Sequence, residues 1–227
     1  MRDPDPLDEL LARKRLLESP ASQAADFVAR LRDLRIWQSA RLARTYQDFR
    51  GDSRHSQAVE FFLSDLYGPQ EFGDRNRDLG RAWRYLRRAL PAAAMRVLAQ
   101  AIELDVLTLE LDHAMVRALG AAAVTDATYA AAYRDVDRRA SRTRQIDLIV
   151  NIGEDLSRIV RRVWLGPLLQ AAHVPAHAAG FGALQDFLER GYAAFHRMRD
   201  AEGLLKAIRE RETGFMDTML HRESAHE

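Results

Sequence analysis

The chain has no cysteine, so a disulfide framework, a thiol nucleophile and any thiolate metal or cluster site are all excluded. Lysine is nearly as scarce: Lys14 and Lys206 are the only two, and arginine supplies the rest of the positive charge. With 34 basic against 33 acidic residues the formal charge is +1, which leaves no global field to draw nucleic acid or an anionic membrane. An electrostatic partner would need a local patch. The opening MRDPDPLDELLARKRLLE is acidic and broken by proline, where a signal peptide needs a basic head and an unbroken apolar run. The expected location is therefore the cytoplasm. Residues 163–185 contain no Asp, Glu, Lys or Arg, but Gly166, Pro167, Pro175, Gly180 and Gly182 break them into pieces too short to satisfy their own backbone in hydrocarbon. A buried or half-buried helical elbow is the expectation there, with a groove for a protein partner or a small apolar ligand behind it.

What is present is a globular balance, 47% hydrophobic residues with 30% charged, in segments that follow a 3.6-residue repeat. Phe27, Leu31, Leu34, Leu42, Tyr46 and Phe49 form one stripe, and Ile146, Ile149, Gly153, Leu156, Val160 and Val163 form the most regular seam. The fold class is all-α: a single compact multi-helix bundle, 1–227, of about nine to ten helices. Gly120, three alanines and the capping pair Thr125-Asp126 mark where a subdomain boundary would fall, near 120–125. Ser141 and Asp200 are further candidate caps. Two seam glycines, Gly153 and Gly191, suggest a close crossing of their helices.

Three strings, WQSARLARTYQD (Trp37 to Asp48), FFLSDLYG (Phe61 to Gly68) with Pro69 and Phe72, and LQDFLERGYAAF (Leu184 to Phe195), occur in this order over most of the chain. In them the chain resembles an uncharacterised bacterial protein family marked by an FFLxDLYG signature. The resemblance implies no activity, cofactor or catalytic residue. One departure is Arg75-Asn76, where the family tends to have Arg-Asp.

Polar residues on apolar rows are the candidate functional groups. Asp65 lies inside a nearly all-apolar helix, His113 on the row Ile102, Val106, Leu109, Val116, and Glu212 on the row Leu205, Ile208, Phe215, Met219. Glu189 and His196 run along the edge of a seam, which completes a candidate cluster of Asp65, His113, Glu189, His196 and Glu212. Buried carboxylates need counter-charges, and Arg41 or Arg75 would serve. Gln38, Arg41, Thr45 and Asp48 line the border of the second helix's stripe, as a rim of inter-helix hydrogen bonds or as one wall of a site. Arg77, Arg81, Arg84 and Arg88 form a basic ridge opposite Leu79, Trp83, Leu86 and Leu90, either a solvated face or a partner-binding one.

No metal and no cofactor is assigned. Glu110 and His113 make half of a di-iron motif, whose other half has no match except Glu223 with His226 near the end of the chain. His173 and His177 have ligand spacing on a continuous helix, which Pro175 argues against. No nucleophile with base and orienter, P-loop or dinucleotide fingerprint occurs. The functional expectation is a non-enzymatic helical protein acting by protein–protein binding or self-association. Its alternatives are a carboxylate/histidine metal protein or enzyme using the five-residue cluster, and an Arg-mediated nucleic-acid binder. The last is disfavoured because the charge is balanced and no aromatics interleave with the ridge.

Overall fold

Apolar residues three and four apart fold this chain into helices that bury one stripe each, and the computed structural model describes residues 6–18, 24–63 and 92–221. Among them are ten helices and no strand. They are α1 (Pro6–Leu17), α2 (Ala25–Thr45), α3 (Gln47–Gly51), α4 (Ser56–Phe61), α5 (Ala92–Leu119), α6 (Asp126–Val136), α7 (Arg139–Ile159), α8 (Leu165–Ala178), α9 (Gly182–Arg197) and α10 (Ala201–Leu220). Asp65, the Arg77, Arg81, Arg84, Arg88 ridge and the pair Glu223 and His226 lie outside the described residues.

The long helix α5 is the hub, packed by α1, α2, α6 and α7, while α10 lies along α7 and α6. Helices α8 and α9 form a hairpin, and α9 also packs on α4. One core cluster joins Leu42, Tyr46, Ala58, Val59 and Leu63 to Val150, Leu204, Leu205 and Ile208. A second joins Leu34, Met115, Val116 and Leu119 to Tyr129, Tyr133 and Met216. The third is small: Ile102 and Val106 of α5 covered by Leu10, Leu11 and Leu17.

Local signals explain most helix ends. After α5, Gly120 takes φ +56, a conformation glycine adopts without a Cβ penalty, and Thr125 then caps α6 in a capping box with Thr128. Asp200 caps α10 by accepting from Gly203 N–H at 2.9 Å. Ser141 is not a cap. Asp137 closes α6 at φ 36, and α7 starts at Arg139, before Ser141 is reached, without a side-chain cap.

Two expectations for the C-terminal half are corrected. Gly153 and Gly191 do not face each other: a side chain at Gly153 would run into Leu205 of α10, and one at Gly191 would meet Phe61 Cζ of α4 at 3.0 Å. Each glycine accommodates one bulky neighbour; Phe61 sits beside Phe187 and Phe195, with ring centroids 5.3 and 6.2 Å away. Nor is 163–185 buried along its length: it is exposed to half-buried until Leu184 and Gln185, which are buried. Helix α8 has no buried residue, and Val163 and Val174 are 93% and 73% exposed. Its prolines do not break it. Pro167 stands in the first turn, where an N–H would be unpaired anyway, and the helix runs on past Pro175, with Ala179 N–H bonded to the Pro175 carbonyl at 3.0 Å.

Candidate functional site

Five helices meet around a cavity of about 70 Å³ at the junction of the two larger core clusters. Its apolar wall comes from Leu42, Phe62, Leu111, Met115, Ile149 and Phe215, and its polar wall from Gln38, Arg41, Asp112, Arg142, Gln145 and Glu212. Buried charges persist only when paired or hydrogen-bonded, so each charged group here can be followed to its partner.

Glu212 of α10 is satisfied three times. Arg41 Nη1 donates to both carboxylate oxygens, at 2.7 and 2.8 Å, and the Tyr46 hydroxyl donates to Oε1 at 2.9 Å. Burial and the neighbouring Glu212 charge both raise the Tyr46 pKa, so that hydroxyl keeps its proton. The Arg41 guanidinium also lies over the Phe215 ring, 4.2 Å from its centroid. Asp112 of α5 is only 3% exposed and accepts from Arg35 Nε at 3.1 Å and Gln38 Nε2 at 3.2 Å. Burial raises its pKa against the opposing pull of Arg35. Gln145 Nε2 donates to Thr108 Oγ1 at 2.8 Å, which ties α7 to α5 across the same space.

Arg142 has no such hydrogen-bonded partner among the described residues. This α7 side chain is 6% exposed, its guanidinium lies 3.5 Å from the centroid of the Tyr133 ring, and its Nε and Nη2 make no hydrogen bond among the described residues. Those two nitrogens form one edge of the guanidinium, the edge that takes a carboxylate through two parallel bonds. Arg41 pairs with Glu212 and Arg35 with Asp112, while Arg142 acts on Asp112 through its charge and not through a hydrogen bond among the described residues. Burial and, against it, the Arg142 charge set the Tyr133 hydroxyl at a pKa of about 12, so it too is a neutral donor and acceptor.

Of the candidate cluster read from the sequence, the four described members, His113, Glu189, His196 and Glu212, lie apart. Glu212 lines the cavity, whereas His113 packs edge-on against Phe27 with ring centroids 4.9 Å apart. Burial, then Arg117 and Arg35, lower its pKa. Glu110, its partner in the half-motif, turns instead to α1 and bonds Arg13 at 2.6 Å. Glu189 pairs with His173, and His196 bonds the Val160 carbonyl at 3.0 Å while stacking on Tyr192. Gln38 and Arg41 do line the cavity, while Asp48 of the same row pairs with Arg211 outside it. Arg142 and Asp112 were missed. The first lies in the arginine-rich run RDVDRRASRTRQ, and the second lies off the apolar row Ile102, Val106, Leu109, Val116 of α5.

The described residues thus define an all-helical protein with a cavity lined by charged residues, and no helix among them is long and apolar enough to cross a membrane. Residues 18–226 match the family model described as Domain of unknown function (DUF8198), and the chain belongs to that family. No curated protein and no solved structure matches it.

Proposed function

We propose that this chain acts by binding, and that its central cavity receives a small monocarboxylate anchored on Arg142. The observation that carries the reading is the buried guanidinium whose Nε and Nη2 edge faces the cavity wall with no hydrogen-bond partner among the described residues. A buried donor without an acceptor costs about 1–3 kcal/mol, more when charged, and a carboxylate would supply paired acceptors to that edge. Tyr133, Tyr129 and Gln145 offer neutral hydrogen bonds to the ligand body, and Met115, Ile149 and Phe215 offer apolar contact. The volume, about 70 Å³, is far below the ~300–1,000 Å³ of drug-sized sites, which selects a compact acid over a nucleotide or a long acyl chain. In this reading the chain works as one helical body in the bacterial cytoplasm. Binding remains its mode of action, with a small acid in place of the protein partner expected from the sequence.

Thermal unfolding with a panel of short carboxylic acids and their uncharged amides tests this. A ligand at one hundred times its Kd stabilises the fold by about 2.7 kcal/mol, so the melting temperature should rise with at least one acid and with none of the amides. Arg142→Met should abolish that shift while leaving the fold intact. Equal shifts in wild type and Arg142→Met, or none with any acid, would overturn the proposal.

A further inference from the structure

We propose that the α8–α9 hairpin carries a second site, independent of the cavity, in which His173, His177 and Asp186 bind a divalent transition-metal ion of the zinc class. Because α8 stays helical through Pro175, His173 and His177 stand one turn apart on one face, with ring centroids 4.6 Å apart. Asp186 of α9 comes up against them, its Oδ1 2.9 Å from His177 Nε2. One ligand atom from each of the three lies within 4.8 Å of the others. A tetrahedral zinc with bonds of about 2.0–2.2 Å holds its ligand atoms roughly 3.4 Å apart, so side-chain adjustment alone would close the site and leave a fourth position for water. Two imidazoles with one carboxylate suit zinc and its neighbours and not magnesium or calcium, which prefer all-oxygen sets.

The surroundings are those of an oriented ligand set. His173 Nδ1 lies 2.9 and 3.2 Å from the two Glu189 oxygens, and a proton donated there leaves Nε2 as the nitrogen free for a cation. Carboxylate–histidine–metal chains of this kind fix the tautomer and ring angle. Glu189 is held in turn by Gln185, a buried residue whose Nε2 donates to Glu189 Oε1 and to the Leu169 carbonyl, both at 2.8 Å. On the other side a Cβ at Gly182 would meet His177 Nδ1 at 2.7 Å. The bare backbone at 182 is what lets that ring lie against α9 with Nε2 toward Asp186. Exposed His–carboxylate pairs contribute little to stability, so fold maintenance does not account for two such pairs with a buried glutamine behind them.

Equilibrium dialysis and calorimetry of the full chain with Zn²⁺, together with the visible spectrum of the Co²⁺ form, test the proposal. One ion per chain and a tetrahedral cobalt spectrum are expected. His177→Gln and Asp186→Asn should each weaken binding at least about tenfold, and Glu189→Gln, which among the three ligands bonds only His173, should weaken it by about tenfold at unchanged stoichiometry. Gly182→Ala should weaken it too, and His196→Gln, outside the site, should leave it unchanged. All three ligands are partly exposed, so the variants should melt as the wild type does without metal. No saturable binding, binding indifferent to His173→Gln and His177→Gln, or a weak octahedral cobalt spectrum would each overturn the site. None of these outcomes bears on the carboxylate cavity.

Discussion

Glu212 occupies a helix position where an apolar side chain would ordinarily sit, and its three bonds to Arg41 and Tyr46 make that tolerable. Arg41 and Glu212 are 14% and 13% exposed, so solvent screens the pair little. Glu212→Gln would strand the Arg41 charge and should cost about 3–5 kcal/mol in urea unfolding, whereas Arg41→Met with Glu212→Leu should be far milder or stabilising. His113 makes a pH prediction. Its folded pKa is depressed, chiefly by burial, so the unfolded chain takes up the proton first; stability should be intact above about pH 6.5 and fall as pH drops from there through the folded value. His113→Phe keeps the ring against Phe27, and its stability should fall less than that of the wild type between pH 7.5 and 5.5. Asp112 titrates in the opposite sense: its raised pKa gives stability below about pH 3.8 that is lost as pH rises through the folded value. Glu212 was legible in the sequence because an acid on an apolar row breaks the period. Asp112 was not, because α5 is packed by four helices and buries Leu111, Asp112 and His113 in succession, where a single seam would bury one of them.

Helices followed the 3.6-residue rule closely enough that fold class was readable, and the misreadings came where one residue type has two structural uses. Glycine on a seam can let two backbones meet or make room for a side chain; periodicity cannot tell these apart, and here both glycines do the second. Proline can end a helix or ride in one, and absence of charge does not make α8 buried, because exposure depends on what packs against it, chiefly α9. Gly153 gives the element-scale prediction. A methyl there would collide with Leu205, which is 7% exposed in the first core cluster and has little room to move. Gly153→Ala should gain about 1 kcal/mol of helix propensity and lose about 1–3 kcal/mol to overpacking, a net loss in chemical denaturation. Combined with Leu205→Ala, it should cost less than the two single changes added together, since the methyl then occupies space the leucine has left.

Taken whole, the molecule has two large core clusters with the charged cavity at their junction and a third, peripheral one that depends on α1. Helix α1 precedes residues 18–226, the part that matches the family, and it is tied to α5 by Arg13 to Glu110, by Lys14 to Asp105 and by three leucines over Ile102 and Val106. None of these contacts involves a residue that lines the cavity or belongs to the α8–α9 hairpin. The helix should therefore open locally while the rest stays folded, as weakly buried peripheral units do. Leu10→Ala with Leu11→Ala removes half-buried apolar area whose full burial is worth about 1.5–3 kcal/mol per side chain. Hydrogen exchange at the α1 amides should then accelerate by about 10–100-fold, with protection in α6 and α10 unchanged. The near-ultraviolet dichroism of Trp37, stacked on Tyr129 with ring centroids 3.9 Å apart, should not move either, since that pair belongs to the second cluster. If protection falls equally in every helix, α1 is part of one cooperative unit, and the division of the core into a central pair of clusters and a detachable edge is wrong.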